Sequence, residues 1–470
     1  MHIACAPPKK TILSSMAKNS LETRLTDLEY TAREIKNGYI NLAFKEKMFG
    51  FSWEQLVPLY RKRILQVKTE GEFYGLMREL LSRLHDGHTA FQLISKSLQK
   101  KMFDGWENLS NLPDLRWIEN RPVIVRALKK WDCLGWEVVS INGISFEKII
   151  ETTVPRFCSS NDKTTRDWIL ERHQYLYYFP FMGKSIGYLK MAVFNPRTDD
   201  RKILTICPAG EASSEKESIK GMPFGFPEKR KNIRSDIIDC DIGYIRIPEF
   251  TLPPDTFRKK IKSILNDFQQ KKVRAVILDL RYNRGGNNSF LYFLRQLVRE
   301  KILINYYRYR ISDRFLEKRR DVLLHQKKVR KSLDEEPESG YSHWFSWTVS
   351  PLKENILSNV PVAVLCNPGC FSSTDVFITA CLEHKLALVV GNGYGGSGFG
   401  YPMRIRLPSQ KYEVVYSVWE ERDTQRRHKE NIVRKMDVPV EQTLEDLYYG
   451  RDSQLQAAVE ALLLRLKDTV

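Results

Sequence analysis

Between Val360 and Gly400 the sequence VPVAVLCNPGCFSSTDVFITACLEHKLALVVGNGYGGSGFG sets two hydroxyls, Ser372 and Ser373, at a point of change. A short apolar run stops at Asn-Pro-Gly, and a helical pattern begins with Asp375 in its first turn. A side chain at a strand-to-helix turn is held rigidly, and the N–H groups at the helix start point where an oxyanion would form. A serine there can attack a carbonyl, but serines also cap helices, and this stretch alone leaves both readings open. Cys370, two residues earlier, is a second candidate nucleophile that precedes the expected helix start. His88 in LHDGHTAF sits where a Leu- and Arg-rich helical pattern gives way at Asp86-Gly87 to alternation of Thr89, Phe91 and Leu93. An imidazole takes a proton from a hydroxyl near neutral pH. His85, His173, His325, His343 and His384 lie in helical or polar surroundings and read as structural or solvated. Gly285-Gly286 in VILDLRYNRGG either offers free N–H donors to an oxyanion or closes a tight strand-to-helix connection. A phosphate cradle at this turn is excluded, because neither the P-loop Lys-Ser/Thr nor the GxGxxG spacing occurs there.

The elements that must position these groups follow from periodicity. Residues 20 to 85 read as helices with apolar residues three and four apart. From Arg121 to Glu151 the pattern is strand, turn, strand, hairpin at Asn142-Gly143, helix. Residues 208 to 232, rich in Pro, Gly, Ser and charge, read as a linker. IGYIRIPEF reads as an alternating strand, and Phe257, Ile261, Ile264, Leu265 and Phe268 form one helix face. VRAVILDL then reads as a continuous buried strand before the glycine turn and another helix. Strand, helix, strand, glycine turn, helix, strand predicts stacked βαβ units and a mainly parallel sheet. Residues 310 to 357 show no regular period beyond a short helix at Phe315 to Leu324. MRIRLPS and YEVVYSVW alternate as a hairpin, and GRDSQLQAAVEALLLRL closes the chain as an amphipathic helix.

The 470 residues, 42% of them hydrophobic, are enough for two or three domains with a large core. A balance of 75 Lys+Arg against 57 Asp+Glu gives +18, which raises a nucleic-acid partner. The charge is spread out, dense only at 318–331 and 422–429, and reads as a solvated basic face, with no aromatic-basic RNA motif. Eight cysteines without a CxxC pair support neither a zinc site nor a disulfide framework. No run approaches the roughly 20 apolar residues of a membrane span, and MHIACAPPKKTILSSMAKNS lacks the apolar segment of a secretory signal.

In order, LHDGHTAF, VILDLRYNRGG, CNPGCFSSTDVFITACLEHKLALVVGNGYGGSG and KMDVPVEQTLEDLYYGRDSQLQAAVEAL resemble segments of the C-terminal-processing, or tail-specific, serine peptidases with their tricorn-core and chlamydial-protease relatives. LGWEVVSINGISFEKI is similar to the distal half of a PDZ domain, with Trp136 and Glu137 in place of the usual residues. The resemblance implies an α/β fold: a crotonase-like βαβ spiral core at 216–470, an N-terminal helical region at 1–115 and a PDZ-like insert at 116–215. It places the nucleophile on Ser372, three residues before Asp375, and an oxyanion hole on the Ser373 N–H with Gly285 or Gly286. The lysine base of the processing branch would fall at Ser397, and no lysine lies from Leu386 to Gln410. The tricorn-like branch instead matches His88 as base and Glu430 as its partner, with Glu420 and Glu421 as the other candidates. Gly87 stands where that branch has a bridging serine. The implied reaction is hydrolysis of a polypeptide substrate through an acyl-enzyme, with no cofactor or metal, no membrane span and no nucleic acid; a homo-oligomer is left open. Relatives are mostly exported. Two other classes stay in view: a binding protein on the same fold, similar to retinoid-binding relatives, and a basic nucleic-acid-associated protein.

Overall fold

The computed structural model describes residues 9–103, 112–157, 159–207, 216–219, 233–318, 340–396, 400 and 402–467. Most of the linker 208–232, most of the basic run 318–331, and Ser397 lie outside the described residues. The protein is a mixed α/β structure whose centre is a six-stranded sheet. Its order is Val438–Pro439, Leu388–Gly391, Val362–Cys366, Ala275–Asp279, Ile242–Arg246, Arg234–Ile238. The first five are parallel to their neighbours and the last is antiparallel. Helices Pro254–Gln270, Phe290–Leu297 and Ser373–His384 cover one face, and Ser453–Lys467 covers the other. Burial on both faces explains why these strands are apolar throughout. It also corrects the reading of Ile242–Arg246 as half-exposed, since all five of its residues are buried.

The N-terminal region begins with the helices Lys9–Gly38, Leu42–Phe49, Trp53–Ile64 and Glu70–Ser82. The sequence pattern runs the first two together. They part at Gly38, where a Cβ would lie 2.6 Å from the Tyr416 ring, and the Ile40 N–H donates to Ser417 O at 3.2 Å. The fourth is started by a Thr69–Glu72 capping box. After its C-terminal turn the strand Ala90–Leu93 pairs antiparallel with Tyr412–Ser417, which itself pairs with Pro402–Arg406. The predicted C-terminal hairpin is therefore the template that receives the strand after His88.

A seven-stranded sheet runs Asp114–Ile118, Arg121–Leu128, Glu137–Ile141, Leu189–Phe194, Arg201–Ile206, with Ile144–Ser145 and Lys216–Ser218 pairing at its sides. The Asn142-Gly143 turn has φ +52° and +76°, as a tight hairpin requires. Lys216–Ser218, read from sequence as linker, is drawn into a strand by its ladder with Ala127 and its neighbours. The stretch 310–357 also gains structure that its period did not reveal. The strand Phe345–Val349 pairs with Ile302–Tyr309, which pairs with Trp419–Arg422. Tyr307 stacks on Trp419 at 4.1 Å across that sheet.

Candidate active site

Two buried arginines fix the glycine turn at the carboxyl end of Ala275–Asp279. Asp279 binds Arg246 Nη1 and Arg281 Nη2, each at 2.8 Å, and accepts from the Tyr244 hydroxyl at 2.6 Å. Although burial alone would raise its pKa, the two guanidiniums hold the carboxyl far below the usual range. Beyond it, Asn283 Oδ1 accepts from the Gly285 N–H at 2.8 Å and from Thr374 Oγ1 at 2.7 Å, while Asn283 O accepts the Phe371 N–H at 3.0 Å. One amide thus staples the glycine turn to the start of the Ser373–His384 helix. Sequence reasoning missed Asn283; its only signal was its place two residues before the glycine pair.

Gly285 has φ +86°, and a Cβ there would lie 2.7 Å from Phe371 O, 2.8 Å from Ser373 N and 2.9 Å from Ser372 Cβ. Gly286 has φ +143° and would meet Phe250 O at 2.3 Å. Only glycine fits either position. The N–H groups of Gly286 and Ser373 have no acceptor among the described residues, whereas that of Gly285 is taken by Asn283.

Ser372 is the N-cap of the helix, yet its side chain makes no capping bond. Its backbone has φ +58° and ψ −125°, a conformation costing on the order of 1–3 kcal/mol for a residue with a side chain. The half-buried hydroxyl goes to His88 instead, with Nε2 3.1 Å from Oγ. Cys370 is fully buried, its thiol directed at Leu280 O at 3.1 Å, and burial pushes its pKa up to about 12. A thiol so held is a poor nucleophile.

His88 owes its position to Asp86, which accepts the His88 N–H at 2.7 Å and the Thr89 hydroxyl at 2.9 Å. The ring stacks on Phe371 at 4.4 Å, and Phe371 meets Trp168 edge-on at 4.8 Å. Gly87 admits the Phe371 ring and Gly400 passes over the imidazole, where a Cβ would come within 2.2 Å. Burial lowers the His88 pKa, with Asp86 raising it and Lys45 lowering it further, a direction that favours the neutral ring able to accept a proton. With Nε2 toward Ser372, Nδ1 faces Asp86 Oδ1 at 3.9 Å.

Glu430 is buried and pairs with Lys45 Nζ at 3.4 Å, with Asp86 and Glu421 in its field. Burial pushes its pKa up to about 7 against the pull of Lys45. Of the other two glutamates, Glu420 is held by Arg308 at 2.7 Å and Arg422 at 2.9 Å, and Glu421 by the Trp419 indole at 3.1 Å. Ser372, His88, the glycine turn and Ser373 are thus brought together, with Glu430 joined to the cluster through Lys45 and the field of Asp86. Lys45 and Asp86 are further residues that sequence reasoning left unassigned. Among the described residues no cluster of metal-ligating side chains occurs and no helix is long and apolar enough to cross a membrane.

A two-faced parallel sheet with a serine on a strained strand-to-helix turn, a histidine at its hydroxyl and unpaired N–H donors beside it is a hydrolase-type arrangement. Residues 241–435 match the family described as peptidase family S41. The matched range holds Ser372, Gly285, Gly286 and Glu430, while His88 and Lys45 lie before it. A carboxy-terminal-processing protease of Bartonella bacilliformis is 25% identical over 165 residues, covering 34% of this chain and 30% of the length of that relative. Mature CPAF is similar in fold, with a TM-score of 0.69 at 15% identity, 96% of this chain and 98% of that one being covered. CPAF complexed with lactacystin gives 0.68 at 14%, covering 96% and 99%.

Proposed function

We propose that the protein is a serine endopeptidase that hydrolyses peptide bonds through an acyl-enzyme. Ser372 Oγ attacks the scissile carbonyl carbon while His88 Nε2 takes its proton. The tetrahedral oxyanion is received by the Gly286 and Ser373 N–H groups, each such donor worth on the order of 3 kcal/mol in the transition state. Gly285 permits the close approach that puts the two donors side by side. His88 returns the proton to the leaving amine, the ester forms, and water activated by the same ring releases the acid. Glu430 is the third member, its negative charge and that of Asp86 stabilising the transient imidazolium. The order of the parallel strands supports reading 216–470 as a crotonase-like βαβ spiral. The sheet from Asp114 to Ser218 supports a PDZ-like insert at 116–215, with 1–115 as the helical region that delivers His88. Polypeptide is the substrate that a peptidase domain implies.

The observation that carries this reading is the 3.1 Å between His88 Nε2 and a serine hydroxyl that caps nothing. A serine held in that strained conformation favours a reacting role over plain packing. A fluorophosphonate probe tests it: Ser372 is labelled in the wild type, and labelling is lost in Ser372→Ala and falls at least a hundredfold in rate in His88→Ala. A folded wild type that takes no label and cleaves no peptide overturns the proposal.

A further inference from the structure

Lys45 belongs to the helix Leu42–Phe49 and is fully buried. An ammonium taken out of water costs several kcal/mol unless partners replace the solvent. This one has three: His85 O at 3.1 Å, Glu430 Oε2 at 3.4 Å and the Asn431 side-chain oxygen. Asn431 Nδ2 in turn donates to His85 O and to Ser160 O, both at 2.8 Å. A single cation from the first helices therefore clamps the turn that leads into His88 onto the segment that carries Glu430. No short motif marks it in the sequence, where it is one lysine of FKEK.

We propose that Lys45 is a positioning residue of the hydrolytic site, supplying the counter-charge for Glu430 and tying that carboxylate to the His88 turn. The inference rests on the peptidase reading of Ser372 and His88. The charges around the pair come from several elements. Asp86 on the His88 turn and Glu421 on the strand Trp419–Arg422 both disfavour a further anion at Glu430, while Lys429 lies 3.7 Å from Glu421. Lys45 also bears on His85, His88 and His428. It opposes protonation of Glu430 and of His88 alike. Removing its charge raises both pKa values, so an ionised Glu430 beside a neutral His88 is reached only at higher pH. A lysine that merely held backbone together would have no such effect.

The test is kcat/KM against pH for a fluorogenic peptide, normalised to Ser372 sites titrated with a fluorophosphonate. Wild type, Lys45→Met, Lys45→Gln and Lys45→Arg are compared, with Glu430 followed by carboxyl 13C NMR. The expected result is an acid limb moved up by about one pH unit or more in Lys45→Met and Lys45→Gln, since an opposite charge at this range shifts a carboxyl by about 1–3 units. Activity is recovered at higher pH, and Lys45→Arg brings the limb back toward wild type. Glu430→Gln, which keeps Lys45, loses the limb near pH 7. An unmoved limb in the neutral Lys45 variants, with only fewer titratable sites, overturns the proposal, as does a wild-type limb in Glu430→Gln. If neither neutral variant folds, the Glu430→Gln limb and the NMR titration of the Arg variant decide. Failure of the peptidase reading is separable: the wild type then neither labels nor cleaves, while the Glu430 titration still reads its coupling to Lys45.

Discussion

Replacing Gly285 by alanine tests the geometry of the proposed oxyanion site where the glycine turn approaches the nucleophile. The added methyl would stand 2.7 Å from Phe371 O, 2.8 Å from Ser373 N and 2.9 Å from Ser372 Cβ. These neighbours are backbone and the nucleophile's own Cβ, so none can swing aside as a long side chain would. At φ +86° the alanine also carries about 1–2 kcal/mol of backbone strain before any contact is counted. Relief requires the glycine turn and the start of the Ser373–His384 helix to separate, which moves the Gly286 and Ser373 donors apart. Loss of one well-placed donor lowers kcat by about 10²–10³, equivalent to roughly 2.7–4 kcal/mol. The expected outcome is a kcat reduced by at least a hundredfold, with KM changed little and a thermal midpoint lowered by several degrees. Steady-state kinetics on a fluorogenic peptide, with circular dichroism to confirm folding, make the measurement. A folded Gly285→Ala protein whose kcat stays within threefold of wild type refutes the placement of the oxyanion hole at this turn.

Two further outcomes follow from the same geometry. Cys370→Ala retains kcat/KM within a few-fold, because the thiol is buried and its pKa stands near 12; a hundredfold loss in a stable protein would return Cys370 to consideration as nucleophile. Asp279→Asn leaves Arg246 and Arg281 buried without their shared carboxylate, the kind of loss that costs about 3–5 kcal/mol. Denaturant unfolding at pH 7 reads it, and a loss under 1 kcal/mol would show that Asp452, which also holds Arg281 at 2.8 Å, suffices.

Local signals in the chain were enough for the elements nearest the nucleophile. Asn-Pro-Gly before a helical period placed Ser372 at a helix start, the pair Gly285-Gly286 marked a sharp turn, and Asn142-Gly143 marked a hairpin, because each rests on the conformational limits of one or two residues. The run VRAVILDL announced a strand covered on both faces for the same reason, that burial dictates composition. Where signals failed, neighbours distant in sequence decided. Ile242–Arg246 is covered on both faces by helices its own residues do not mention, and Lys216–Ser218 is a strand only because Arg121–Leu128 offers it a ladder.

The choice between a capping and a reacting serine was not legible in that stretch itself, since both readings use the same residues at the same spacing, and only the resemblance to the peptidases favoured the second. The absence of a capping bond and the 3.1 Å from the Ser372 hydroxyl to His88 Nε2 support the second. The register Ala90↔Val415 decides that His88, near the start of the chain, meets Ser372, near its end. Sequence alone therefore determined which groups could do chemistry and how each is held locally. Tertiary structure alone decided which of them meet, and it added Lys45, Asp86 and Asn283, ordinary polar residues whose roles exist only because folding buries them against partners far along the chain.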